Sequence, residues 1–84
     1  MSARRPILKE DTARVLAFLR TYRSAQHGRS PSLREVAAGC YLSLSQVSHH
    51  LEILAAYGLI VREPSIARGI WLTDRADRYG DDTD

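Results

Sequence analysis

With 84 residues, 44% of them apolar and 26% charged, the chain has the makeup of one small globular domain, too short for a second lobe and too apolar to stay disordered. No apolar run approaches the roughly 18 residues of a membrane span, no signal peptide precedes the apolar pattern, and the single cysteine, Cys40, excludes an internal disulfide, so the expected location is cytoplasmic by default. The net charge of +2 conceals an asymmetry: residues 1–73 carry ten Lys/Arg against five Asp/Glu (+5), residues 74–84 carry two Arg against five Asp (−3), and eleven of the twelve cations are arginine, the side chain that grips phosphate bidentately.

Residues 1–6, with Arg4 and Arg5 and no periodicity, read as a flexible basic arm. Asp11 is the expected N-cap of a first helix running to about Gln26. Val15, Leu16, Leu19 and Tyr22 recur there at helical spacing and face the core. His27-Gly28 closes the helix, with Gly28 in the left-handed conformation and His27 as a cation at the negative end of the dipole. After an extended linker, Arg29-Ser30-Pro31, the S-x-x-E pattern of Ser32 and Glu35 is a capping box that opens a second helix, with Val36 and Ala37 on its buried side. A turn over Gly39 to Leu42 leads to a second box, S-x-x-Q at Ser43 and Gln46, opening a third helix. Val47, Leu51 and Leu54 form its apolar stripe and Gly58 its stop.

Beyond Gly58 the pattern changes to two short β-rich runs, Leu59-Ile60-Val61 and Ile70-Trp71-Leu72-Thr73, separated by Pro64, Ser65 and Gly69. They predict a hairpin. Residues 74–84 predict an acidic tail, helical at first and disordered at its end. The expected fold is therefore mainly α with a small β-hairpin: a winged helix-turn-helix of three helices and a two-stranded wing over residues 7–73.

In such a fold the third helix enters the major groove of duplex DNA. Winding it at about 100° per residue sets Ser45, Gln46, His49 and Glu52 opposite the apolar stripe, with Ser48 at the margin. Gln bonds both N6 and N7 of adenine, Ser serves a base edge or a phosphate, and His donates to a guanine acceptor. His50 falls on the flank toward the second helix, as a structural or phosphate-contacting residue. For the DNA backbone the candidates are Ser32 and Arg34 at the start of the second helix, and Arg68 in the wing loop, with Arg29 and Arg62 of second rank.

The chain resembles the N-terminal DNA-binding domain of the LexA repressor family. The likeness runs from about Ile7 to Thr73, through Thr12-Ala13-Arg14, Gly28-Arg29-Ser30-Pro31-Ser32, Arg34-Glu35-Val36-Ala37, Ser43-Leu44-Ser45, His50-Leu51-Glu52, Leu54, Tyr57-Gly58-Leu59-Ile60 and Ala67-Arg68-Gly69-Ile70 with Leu72. The resemblance implies a repressor of transcription that binds a palindromic operator, with base-reading positions at Ser43, Ser45, Gln46, Ser48 and His49. It also places the protein with the bacterial nucleoid. In the turn the family usually has Leu-Gly where this chain has Cys40-Tyr41, so Gly39 is expected to take the left-handed position after a shift of one or two residues. The family's self-cleaving protease has no counterpart in these residues, Lys9 being the only lysine. Autocleavage, and dimerisation through that part, therefore do not carry over.

Other classes fit less well. A metal site on Cys40, His49 and His50 lacks a second thiol, and adjacent histidines on a helix point about 100° apart. No phosphate loop, paired acids or nucleophile with a base marks an enzyme, and no cofactor is implied. The competing reading is a winged helix that docks a protein partner through Ile53, Ala56 and Tyr57. A homodimer is expected for reading a two-fold DNA site, with Arg75, Ala76 and Tyr79 as its candidate surface.

Overall fold

The structure is a computed structural model that describes residues 8–79. The basic arm and the end of the acidic tail lie outside the described residues. Four helices and one hairpin follow in the order α1 (Glu10–Ala25), α2 (Leu33–Cys40), α3 (Leu44–Ala56), β1 (Ile60–Arg62), β2 (Ile70–Leu72) and α4 (Asp74–Tyr79). This is a winged helix-turn-helix, as the sequence pattern predicts.

The first helix starts two residues earlier than expected. Its N-cap is Lys9, which makes no side-chain capping bond, and Asp11 sits inside the helix. There Asp11 accepts from Arg14 Nη2 at 2.7 Å and, with Glu10, places negative charge on the first turn, where the dipole favours it. At the other end both His27 (φ 57°) and Gly28 (φ 88°) are left-handed, and Gly28 N–H donates back to the Arg23 carbonyl at 2.7 Å.

Both predicted capping boxes form in full. Ser32 Oγ accepts from Glu35 N–H while Glu35 Oε1 accepts from Ser32 N–H, and Ser43 and Gln46 repeat the exchange at α3. Between them the turn departs from expectation. Tyr41 itself takes the left-handed conformation (φ 58°, ψ 43°), and Gly39 stays within α2. Gly39 is needed there for another reason: a Cβ at this position would lie 2.1 Å from Phe18 Cε2, so the glycine lets α1 press directly on α2.

The strands pair antiparallel as Ile60↔Leu72, Val61↔Trp71 and Arg62↔Ile70, each strand one residue displaced from or shorter than its sequence estimate. Gly58 (φ 76°) turns the chain out of α3, and Leu59 N–H returns to the Leu54 carbonyl at 3.0 Å. One face of the hairpin covers the core and the other leaves Val61 and Trp71 exposed.

The core is a single cluster. Val15, Leu16 and Leu19 of α1 meet Val36 and Cys40 of α2, Val47, Leu51 and Leu54 of α3, and Leu59, Ile60 and Ile70 of the wing. Each such aliphatic side chain contributes about 1.5–3 kcal/mol on burial. Ala76 of α4 is fully buried among them, and Asp77 pairs with Arg23 of α1 at 2.5 Å. The folded unit thus continues past residue 73 through α4. Burial also removes Ala76 from the candidate dimer surface. Thr12, the buried polar residue of α1, is satisfied by His50 at 2.8 Å between Oγ1 and Nδ1.

Candidate nucleic-acid interface

The apolar stripe of α3 is fixed by Val47, Leu51 and Leu54, all inaccessible to solvent. A helix so anchored has one outward orientation. Ser45, Gln46, His49 and Glu52 are exposed on that side, Ser48 and His50 are half-buried at its two flanks, and the exposed Ser43 stands just before the helix as its N-cap. Three of the five residues predicted to read bases, Ser45, Gln46 and His49, are thereby on one open surface, with Ser48 at its edge and Ser43 at the start of the helix.

Ser48 is not free. Arg62, at the end of β1, donates from Nη2 to its Oγ at 3.2 Å and so ties α3 to the wing. His50 turns to α1 through its bond to Thr12, not to α2 as the helical wheel suggested. Its ring meets that of His49 edge-on, 5.4 Å between centroids, and His49 projects outward from there. Gln46 carries its capping bond through Oε1, 2.9 Å from Ser43 N. Its amide nitrogen has no protein partner among the described residues, so a donor is presented on the open face even while the cap is intact.

Four residues were expected at the DNA backbone. Arg29 and Arg34 are exposed, one in the α1–α2 loop and the other in the first turn of α2. Ser32 is half-buried with its oxygen engaged as a cap acceptor, which leaves its O–H to donate. Arg68 differs from the expectation of a cation reaching outward from the wing tip. Its Nη1 lies 2.7 Å from Glu35 Oε1, 2.9 Å from the Ser30 carbonyl and 3.3 Å from the Tyr22 hydroxyl. The guanidinium folds back and clasps the wing to the start of α2.

Glu35 is the centre of this clasp, accepting from Arg68, Ser32 N–H and the Tyr22 hydroxyl. The Arg68 bond, followed by the Ser32 bond, holds its carboxyl down at about 2, and the carboxylate in turn raises Arg68 above its ordinary range. The clasp escaped the sequence reading because a capping glutamate and a core-facing tyrosine already had local explanations. A carboxylate has lone pairs for more than one donor, and that spare capacity was the available signal.

Cys40 is buried and its thiol is pushed up by desolvation, the behaviour of a small core residue rather than of a thiolate ligand. Among the described residues no three His, Cys, Asp or Glu side chains converge as a metal site, and no helix is long and apolar enough to cross a membrane.

A sequence profile for the LexA DNA binding domain matches residues 7–69. LexA repressor 1 of Geobacter sulfurreducens is 44% identical over 64 residues, which are 75% of this chain and 31% of that protein. LexA repressor 1 of Xanthomonas axonopodis pv. citri is 43% identical over 74 residues, 87% of this chain and 36% of that protein. The chain thus spans about a third of the length of the curated relatives it matches.

Proposed function

The chain belongs to the LexA DNA-binding domain family, and from that premise we propose that it binds duplex DNA sequence-specifically and represses transcription from a palindromic operator. The observation that carries this reading is the open polar face of α3, rigidly presented by a buried stripe and a full capping box. The helix lies in the major groove, where Ser45, Gln46 and His49 meet base edges, with Ser43 and Ser48 at the margins of that set. Small serines at the helix start admit the backbone deep into the groove. Arg29, Arg34 and Ser32 hold the phosphates that fix the register. One domain of this size buries little DNA, so two copies on a two-fold site supply useful affinity. The protein acts where DNA is, in the bacterial cytoplasm at the nucleoid.

The test is selection from a random duplex pool with purified protein, repeated with Gln46→Ala and His49→Ala. The expected result is a palindromic motif that loses definition at different base pairs in the two variants. Failure to enrich any sequence at low salt overturns the reading and favours a winged helix that docks a protein, for which affinity would not fall steeply with salt.

A further inference from the structure

A helix in the major groove and a wing over the neighbouring minor groove straddle one strand of the duplex, so the wedge between helix and wing faces that strand's phosphates. In this chain the wedge between α3 and β1 holds Arg62. It is the last residue of β1, opposite Ile70 and next to the wing loop, half-buried, with Nη2 on Ser48 Oγ. Its charge is uncompensated: Arg14, Arg23 and Arg68 each pair with a carboxylate, whereas Arg62 forms no ion pair among the described residues. The neighbouring Glu63 is occupied by the Ser65 hydroxyl at 2.6 Å, and Glu52, one turn beyond Ser48, is exposed and unpaired with Arg62. A guanidinium that has lost part of its hydration for a single neutral hydroxyl leaves strong donors for an anion. By accepting from Arg62, Ser48 Oγ is also left with its own proton to give outward.

We propose that Arg62 and Ser48 together form a seat for one DNA backbone phosphate, at the boundary between the groove read by α3 and the groove covered by the wing. This rests on the DNA-binding reading above. It assigns Ser48 to the backbone instead of to a base, and it makes Arg62 the residue that fixes how far α3 rotates into the groove. Sequence preference next to Ser48 is then weak.

The test uses the selected duplex with single phosphates replaced in turn by neutral methylphosphonates, titrated with wild type, Arg62→Met and Ser48→Ala. Wild type loses affinity at one boundary phosphate, and Arg62→Met is insensitive to that same replacement. Arg62→Met weakens binding to selected and unselected duplexes alike by about tenfold, and lowers the salt slope by about one. Arg62→Lys keeps the slope but not the tight coupling to that phosphate, and it replaces the methionine variant should that one fail to fold. An unchanged slope and unchanged phosphate profile in Arg62→Met, or a motif that blurs at one base pair in Ser48→Ala, overturns the seat while leaving DNA binding intact. Absence of any duplex binding by wild type overturns both.

Discussion

Arg68 and Glu35, 33 residues apart in sequence, meet at 2.7 Å and lock the wing loop to the first turn of α2. Beyond its inner face the wing is also tied to α3 by Arg62 on Ser48, and the Arg68–Glu35 clasp adds a second tie, to α2, that helps set the angle of the wing against the helices. Removing the carboxylate by Glu35→Gln keeps a capping acceptor but deprives Arg68 of its charge partner. The variant is expected to lose about 1 kcal/mol of stability, measured by urea unfolding, with the loss absent when Arg68 is first replaced by Met.

The same pair gives stability a defined acid limb. Glu35 titrates at about 2 in the folded chain against an ordinary 4.5, so above 4.5 it is ionised in both states and its contribution is complete. As pH falls below 4.5 the unfolded chain takes up the proton and the folded one does not; stability therefore declines, until the contribution is gone below about 2. Both side chains are more than a third exposed, at 36% and 39%, and solvent screening limits the loss to about 1 kcal/mol. Glu35→Gln should flatten that part of the curve, and an identical acid limb in the variant would exclude the clasp as its source.

Tyr41 pays a conformational penalty at the turn that a glycine would not, since a left-handed backbone brings its Cβ against the carbonyl. The side chain is 90% exposed and packs on little in return. Tyr41→Gly is therefore expected to stabilise the fold by about 1 kcal/mol, read as a rise in melting temperature. Gly39→Ala should do the opposite, by about 1–3 kcal/mol, because its methyl would collide with the Phe18 ring. If Gly39→Ala were neutral, the close approach of α1 to α2 would be wrong.

The contrast between these two neighbours shows which parts of the fold the sequence makes legible. Capping boxes at Ser32 and Ser43 are written within four residues, and the Val47, Leu51, Leu54 stripe within eight; both are local patterns and both appear as read. Family resemblance and face assignment agree on the exposed side of α3 for the same reason. What failed to show were side-chain contacts that join distant segments, among them Phe18 over Gly39, Arg68 on Glu35, Arg62 on Ser48 and His50 on Thr12. Each involves a side chain that already had a sufficient local role, and only packing decides which second partner it meets. Asp11 and Ala76 erred differently, an acidic residue near a helix start being equally at home as cap or first-turn charge.

Gln46 separates fold from proposed function most sharply, because the DNA-binding reading gives this capping side chain a second task. In the free domain its Oε1 accepts from Ser43 N–H, which holds the first turn of α3. Glutamate at this position supplies the same acceptor and adds a negative charge where the helix dipole favours it, so Gln46→Glu should fold with stability unchanged or raised by up to about 0.5 kcal/mol. On DNA the outcome reverses. The amide donor offered to the groove is replaced by a carboxylate held among phosphates, and its unpaired burial there weakens binding by at least about tenfold. Thermal melting and anisotropy titration on one preparation check both halves. A variant that melts as wild type yet loses the selected duplex places Gln46 against the bases, whereas one that melts as wild type and binds equally well would move the reading face of α3 away from this residue.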